Sequence, residues 1–173
     1  HFGINGKQPT KSRTSVITGL SRTQVDIQMN IDLFHEENSQ YNWHRAVRVL
    51  TAWVVGHDDR FAAAASLCPV TNWISMVGTT DIPAWTFEWF DKPFWEDSTN
   101  WLKRSPIMRS GFIKTPTLFM TGVLDIRTPM PQSEEMYVAL KEAGVDTALI
   151  RMNEEWHGTS SKPSNWFRTY GYL

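Results

Sequence analysis

The sequence predicts an α/β fold in which helices flank a mostly parallel sheet. Apolar runs of strand length alternate with helical segments from residue 43 onward, and this order requires right-handed crossovers between parallel strands. With 173 residues, 41% of them hydrophobic, the chain is long enough for one core and too short for two. We therefore expect one incomplete α/β domain over residues 43–173. Residues 1–42 stay unassigned because their polar sequence carries no consistent apolar period.

The first elements of this domain are a helix, a strand and an aromatic segment. Residues 43–57, "WHRAVRVLTAWVVGH", have the apolar spacing of an amphipathic helix. The run "FAAAASLC" follows as a short buried strand. Residues 72–106 are rich in Trp, Phe and Pro, a composition that favours a loop-and-helix excursion packed over an apolar surface. We expect most of these rings to serve packing, although they could also line a substrate pocket.

The second half of the domain repeats the alternation. "TPTLFMTG", bounded by Pro116 and Gly122, predicts a buried parallel strand. "MPQSEEMYVALKEAGV" predicts a helix that ends at Gly144. "TALIRMN" predicts another buried strand, and "KPSNWFRTYGYL" predicts a terminal helix. The expected apolar face of the long helix consists of Met136, Val138, Leu140 and Ala143.

Composition excludes several classes of partner. The formal charge of −1, with basic and acidic residues interspersed, gives no footprint for nucleic acid or an anionic membrane surface. No apolar run reaches the roughly 18 residues that span a bilayer, and the first residues of this chain carry no basic-then-apolar signal, so we expect a soluble protein of unknown location. The single cysteine, Cys68, allows no internal disulfide and is interpreted as a buried structural thiol. Because the chain begins at His1, we expect a fragment, a processed product or a trimmed chain.

Two polar residues follow predicted strands at the carboxyl ends where parallel sheets place their chemistry. Asp125 lies just beyond "TPTLFMTG", and His157 lies just beyond "TALIRMN". A carboxylate that accepts from an imidazole Nδ1–H orients a general base and stabilises its charged form. A turn role for Asp125 and an ordinary loop position for His157 are the alternatives for each residue alone. Their flanking residues, Arg127 and Glu155, are expected at the solvated surface.

These residues carry a family resemblance. "RFAAAASLCPVTNWIS", "PFWEDSTNWLKRSPI", "GVLDIRTP" and "RMNEEWHGTSSKPSNW" resemble the C-terminal catalytic domain of the prolyl oligopeptidase family of serine peptidases, especially its acylaminoacyl-peptidase and dipeptidyl-peptidase-like branches. The resemblance runs from about Leu50 to Leu173. It implies an α/β-hydrolase fold, a Ser, Asp, His triad and cleavage of short peptides. It also implies that Asp125 is the orienting acid and His157 the general base.

The nucleophile of this triad is not found. The family carries it in a Gly-x-Ser-x-Gly elbow, which should fall on "WHRAVR" ahead of the helix "VLTAWVVGHDDRF", yet that stretch holds neither serine nor glycine. Serines elsewhere in the chain lack the flanking glycines of an elbow, and Cys68 has no helix N-terminus to lower its pKa. The serines considered are Ser39, Ser66, Ser160 and Ser161. A reading frame shifted upstream of about Val49 is one hypothesis, beside true divergence, a splice variant and an assembly artefact.

Two functions therefore stay open from the sequence. The first is a serine-type peptidase or acyl hydrolase acting on short peptides, and the second is a catalytically inactive hydrolase-fold remnant or binding module. No glycine-rich phosphate loop supports a cofactor, and no histidine pair has metal-ligand spacing, so no cofactor and no metal are expected. An incomplete sheet leaves an uncovered edge, through which the chain could self-associate. 

Overall fold

Four parallel strands form the sheet. The computed structural model describes residues 16–18 and 50–173, with backbone alone for the first of these ranges. The strands are β1 (Val16–Thr18), β2 (Ala63–Leu67), β3 (Thr117–Gly122) and β4 (Thr147–Met152). They pair in the order β1-β2-β3-β4, each parallel to its neighbour. The predicted parallel sheet with flanking helices is therefore confirmed.

Short helices connect these strands, and a longer one crosses from β3 to β4. The helices of the described residues are α1 (50–55), α2 (Trp73–Thr79), α3 (Pro83–Phe87), α4 (Ser98–Lys103), α5 (Met130–Glu142) and α6 (Pro163–Tyr172), with a 3₁₀ helix over Pro106–Phe112. Local sequence fixes several ends. The Asn72 side chain accepts hydrogen bonds from two backbone N–H groups of α2, and Gly144 ends the turn after α5 with a φ of 73°.

Strand β3 is buried on both of its faces. Phe119 of β3 packs with Met136 and Leu140 of α5 on one face. Its neighbour Met120 packs with Met152 of β4 on the other face. All but one of these side chains are fully buried, and each contributes roughly 1.5–3 kcal/mol to the free energy of unfolding. Alternating side chains of one strand thus join two separate parts of the core.

The predicted apolar face of α5 is wrong at two positions. Met136 and Leu140, four residues apart, are fully buried, whereas Val138 is 56% exposed and Ala143 is also exposed. Residues spaced by two lie on different sides of a helix, so Val138 cannot share the face of its neighbours. The buried strand predicted at "TALIRMN" is likewise only partly buried, since Ala148 and Arg151 of β4 are exposed at the edge of the described sheet.

The aromatic segment forms its own small core, as its composition predicts. Trp73 and Trp101 are almost completely buried, and the Trp101 ring stacks on Phe90 with ring centroids 3.9 Å apart. Trp73 meets the same Phe90 ring edge-on at 5.5 Å. This cluster joins α2, α3 and α4 into one excursion between β2 and β3. Packing therefore occupies several of these rings, although Trp95 is 67% exposed.

Some predictions fall outside the described residues. Residues 50–55 are helical within the predicted helix 43–57, and residues 43–49, where the elbow was sought, are not described. The boundary between residues 42 and 43 and self-association through a sheet edge stay predictions. Within the described part of the chain, no helix combines the length and apolar character needed to cross a bilayer.

Gly122 provides a test of how β3 meets the loop that follows β4. A Cβ at this position would lie 2.3 Å from the carbonyl oxygens of both Glu155 and Trp156. We expect Gly122→Ala to lower the free energy of unfolding by about 1–3 kcal/mol, because backbone must shift to admit the methyl group. Urea unfolding midpoints measure the change.

Gly78→Ala is the matched control, because an added Cβ there meets nothing within 4 Å and the residue lies in α2. Helix propensity predicts that this variant gains about 0.5–1 kcal/mol. Equal behaviour of the two variants would contradict close packing at Gly122.

Candidate active site

Three residues that follow β2, β3 and β4 converge at the carboxyl ends of these strands. Cys68 directly follows β2, Asp125 lies three residues beyond β3, and His157 lies five residues beyond β4. Asp125 Oδ2 is 2.9 Å from His157 Nδ1. The structure thus brings together the two residues that the sequence singled out. Parallel strands make this possible because their carboxyl ends all lie at the same end of the sheet.

Asp125 is held by four hydrogen bonds. Its Oδ1 accepts from the backbone N–H groups of Arg127, at 2.8 Å, and Thr128, at 3.0 Å. Its Oδ2 accepts from the Thr128 hydroxyl at 3.1 Å and from His157 Nδ1 at 2.9 Å. Burial by itself raises the pKa of Asp125, but the hydrogen bonds from His157, Thr128 and Arg127 outweigh it, so this pKa lies below its ordinary value. The carboxylate is therefore ionised at neutral pH.

His157 presents one nitrogen to Asp125 and keeps part of its ring accessible. Its side chain is 32% exposed, whereas the Asp125 side chain is completely buried. The Thr128 hydroxyl lies 3.3 Å from the same Nδ1 and closes this side of the ring. An Nδ1–H that donates to a carboxylate leaves Nε2 as the basic nitrogen of a neutral imidazole. This arrangement can accept a proton at Nε2 while the carboxylate stabilises the resulting charge.

Glu155 is buried, so its predicted place at the solvated surface is wrong. The residue is only 1% exposed. Its Oε2 accepts from the Ser161 N–H and hydroxyl, at 3.1 and 2.6 Å, and its Oε1 accepts from the Lys162 N–H at 3.3 Å and Asn165 Nδ2 at 2.7 Å. Burial raises the pKa of Glu155, but these hydrogen bonds lower it below its ordinary value. The carboxylate ties residue 155 to residues 161–165 and so closes the loop that carries His157.

An exposed ion pair joins the Asp125 loop to the aromatic excursion. Arg127 donates from Nε and Nη2 to the two carboxylate oxygens of Asp81, at 2.7 and 3.0 Å. The Thr80 hydroxyl donates to the Arg127 carbonyl at 2.8 Å, and the Asp81 N–H donates to the Ile126 carbonyl at 2.9 Å. The bidentate geometry and the backbone bond fix orientation between the two segments. The arginine is therefore more than a solvated surface residue.

Cys68 is buried, as predicted, but its place beside the other two residues was not anticipated. It is 1% exposed and has a φ of 47°, a left-handed conformation that costs a non-glycine residue roughly 1–2 kcal/mol. Its sulfur, one Asp125 oxygen and one His157 nitrogen all lie within 4.8 Å of one another. The strand-end rule that selected Asp125 and His157 also applies to Cys68, which is the last residue of the predicted strand "FAAAASLC". That rule could have found it.

The serines that the sequence offered as substitute nucleophiles have other surroundings. The Ser161 hydroxyl donates to Glu155, and the Ser160 hydroxyl donates to the Gly158 carbonyl at 3.2 Å. Ser66 is fully buried within β2, and its hydroxyl has no hydrogen-bond partner among the described residues. Ser39 lies outside the described residues.

Comparison with known proteins identifies the family. Residues 49–170 match the family described as the prolyl oligopeptidase family, which is most of the chain. The chain belongs to the prolyl oligopeptidase family. The matched range includes Cys68, Asp125 and His157, so all three converging residues belong to the family domain. The resemblance read from "GVLDIRTP" and "EEWHG" is confirmed.

Individual relatives agree with this assignment. The chain is 37% identical over 132 residues to acylamino-acid-releasing enzyme 1 of Oryza sativa subsp. japonica, covering 70% of this chain and 17% of the relative. It is 35% identical over 112 residues to an uncharacterized peptidase, YuxL, of Bacillus subtilis, covering 64% of this chain and 17% of the relative. The chain therefore spans about a sixth of the length of these curated relatives.

Solved structures support the α/β-hydrolase fold. The acylaminoacyl peptidase of Pyrococcus horikoshii superposes with a TM-score of 0.67 at 26% identity, covering 85% of this chain and 25% of that protein. A structure of an acylaminoacyl peptidase in complex with Z-Gly-Gly-Phe-chloromethyl ketone gives the same score and identity. The family member described here thus has the peptidase fold that the sequence predicts.

Glu155→Gln tests whether the buried carboxylate holds the His157 loop. The amide replaces one acceptor oxygen by a donor that would face N–H groups and a hydroxyl, and an unsatisfied buried polar group costs about 1–3 kcal/mol. We expect a loss of that size in the free energy of unfolding and faster proteolysis between residues 155 and 165. Urea unfolding and limited proteolysis measure both effects.

Glu154→Gln is the control at the next position. Glu154 is exposed and its carboxylate contacts only the exposed Lys162 ammonium among its described hydrogen bonds. This variant should leave stability within about 0.5 kcal/mol of the parent, as surface substitutions usually do. A similar loss in both variants would mean that the loop is not held by Glu155.

Proposed function

We propose that this chain supplies the acid and the base of a serine-type peptidase or acyl hydrolase that acts on short peptides. One observation carries the proposal: Asp125 Oδ2 lies 2.9 Å from His157 Nδ1 on neighbouring strand ends of a prolyl oligopeptidase-family domain. In this proposal His157 is the general base and Asp125 the residue that orients it. The hydrogen bond, the buried carboxylate and the accessible ring support both roles.

The proposed reaction uses each atom of this pair. A serine hydroxyl gives its proton to His157 Nε2 as its oxygen attacks the acyl carbonyl, and the ionised Asp125 stabilises the imidazolium that forms. The imidazolium then donates the proton to the leaving amine, which breaks the scissile bond. Water repeats the sequence on the acyl-enzyme and returns the serine. Asp125 stays ionised throughout because its hydrogen bonds hold its pKa low.

The nucleophile is proposed to come from outside the described residues. Ser160 and Ser161 donate to other groups, and Ser66 lies in the interior of β2. The elbow position inferred from the sequence, "WHRAVR", also lies outside the described part. The absence of a Gly-x-Ser-x-Gly pattern there favours a second candidate function, a catalytically inactive hydrolase-fold remnant or binding module.

The substrate class is inferred from relatives. The rice relative is named as an acylamino-acid-releasing enzyme, and an acylaminoacyl peptidase was solved with a blocked tripeptide chloromethyl ketone. We propose N-terminally blocked short peptides as substrates for the protein to which this chain belongs. The exposed part of the His157 ring is the accessible end of the proposed site.

A fluorophosphonate probe tests the base. We expect covalent labelling of the chain that disappears in His157→Ala, because the serine then lacks a base. Asp125→Asn should lower the labelling rate by about 10³–10⁴-fold, because loss of the carboxylate favours the wrong tautomer of His157 and leaves the imidazolium without a stabilising charge. His57→Ala is the control, because His57 is exposed and hydrogen-bonded to the Trp53 carbonyl. Labelling that survives in His157→Ala would overturn the assignment of the base.

The position of the label distinguishes the two candidate functions. If the chain is a serine-type peptidase or acyl hydrolase, mass spectrometry of a digest should place the phosphonate on one serine of residues 1–49. If the chain folds, shown by a cooperative urea transition, and takes up no label, the inactive remnant is the better description. A label on Ser160 or Ser161 would contradict the hydrogen bonds that engage those hydroxyls.

A further inference from the structure

Cys68, Asp125 and His157 present three different metal-binding atoms to one another. A thiol sulfur, a carboxylate oxygen and an imidazole nitrogen all lie within 4.8 Å of each other, and no other group of three such residues that could hold a metal ion occurs in the described part of the chain. We propose that these three residues form a binding site for Zn²⁺, and that an ion bound there switches off the His157–Asp125 pair. The sequence predicted no metal site because its ligands lie 32 and 57 residues apart and lack a local motif.

The donor set selects the ion. A thiolate and an imidazole favour Zn²⁺ over Mg²⁺ and Ca²⁺, which prefer oxygen ligands. Three protein ligands and one water are a common zinc arrangement. Tetrahedral zinc places its ligands about 3.3–3.8 Å apart, given bond lengths of about 2.0–2.3 Å. The three donor atoms are therefore close enough that side-chain rotations would complete the site.

The site is held in place and open on one side. The Cys68 N–H donates to the Met120 carbonyl at 2.8 Å, which fixes the cysteine backbone against β3. The Leu124 N–H donates to the Glu155 carbonyl at 2.9 Å, which joins the loops that carry Asp125 and His157. Cys68 and Asp125 are buried, while the His157 side chain is 32% exposed. An ion would enter past the imidazole, and the fourth, water ligand would lie on that side.

Zinc and the proposed base chemistry compete for the same atoms. In the metal-free site a proton joins His157 Nδ1 to Asp125 Oδ2. An ion bound by His157 Nδ1 and Asp125 Oδ2 would displace that proton, which moves to Nε2, and the Cys68 thiol would release its own proton to solvent as its sulfur binds the ion. A histidine whose lone pair binds zinc cannot accept a proton from a nucleophile. The consequence for activity rests on the proposed function, whereas zinc binding itself does not.

Binding is tested without any activity measurement. Co²⁺, a spectroscopic substitute for Zn²⁺, is titrated into the reduced 173-residue chain, followed by displacement with Zn²⁺. We expect one ion per chain, visible bands of tetrahedral cobalt and a thiolate-to-cobalt charge-transfer band, whose source can only be Cys68 because the chain holds one cysteine. Zn²⁺ should also raise the thermal unfolding midpoint, since it binds the folded state.

Variants decide whether the three residues are the ligands. Cys68→Ala should abolish the charge-transfer band, and His157→Gln should weaken zinc binding more than the about 10–100-fold that loss of an outer-shell partner costs. If Cys68→Ala unfolds, Cys68→Ser replaces it. His57 is exposed and precedes β2, whereas Cys68 follows the carboxyl end of that strand, so His57→Ala should bind zinc like the parent. Zinc binding that is unchanged in the Cys68 variants, or a cobalt spectrum without a thiolate band, overturns the site.

Inhibition is measured separately, by the rate of fluorophosphonate labelling with and without Zn²⁺. We expect at least about tenfold slowing at saturating zinc that a chelator reverses, and a smaller ratio in the Cys68 variant relative to its own zinc-free rate. If no labelling occurs at all, the proposed peptidase function fails while the cobalt titration still stands. Labelling that zinc leaves unchanged, although the ion binds at Cys68, overturns the switch.

Discussion

The parallel alignment of β2, β3 and β4 is the constraint on which the candidate site depends. In a parallel sheet the carboxyl ends of all strands lie together, so the loops after three different strands meet there without any local sequence relationship. The core maintains this alignment from both sides, since Phe119 and Met120 of the central strand β3 belong to different hydrophobic clusters. A shift of β3 by one residue would exchange these faces and misplace the loop that carries Asp125.

The loops that follow β3 and β4 are stabilised by buried polar groups instead of apolar packing. Asp125 and Glu155 are carboxylates that are at most 3% exposed, and an unpaired buried charge is strongly destabilising. Each is compensated by four hydrogen bonds from backbone N–H groups and nearby side chains. Because the backbone donors lie in the same loops as the carboxylates, satisfying the carboxylates also defines the loop conformations.

The sequence predicted those features that depend on local pattern. The strand "TPTLFMTG" and the stop at Gly144 follow from apolar runs and from glycine conformation, and the positions of Asp125 and His157 follow from where strands end. Val138 and Glu155 were misplaced for different reasons. The Val138 error came from counting apolar residues without their helical angle, whereas the burial of Glu155 depends on donors from the loop residues Ser161 and Lys162 and from Asn165 in the first turn of α6. No periodicity encodes such a loop, so only a three-dimensional structure reveals it.

Two buried carboxylates lie near His157, and the hydrogen-bond donors around each explain why the one more distant in sequence contacts the imidazole. Glu155 lies two residues from His157, yet both of its oxygens already accept from Ser161, Lys162 and Asn165. Asp125 lies 32 residues away, and its Oδ1 takes both backbone N–H groups, which leaves Oδ2 for the Thr128 hydroxyl and His157. The arrangement of donors thus decides which carboxylate is hydrogen-bonded to the ring. Glu155 closes the loop, and Asp125 is hydrogen-bonded to the imidazole within it.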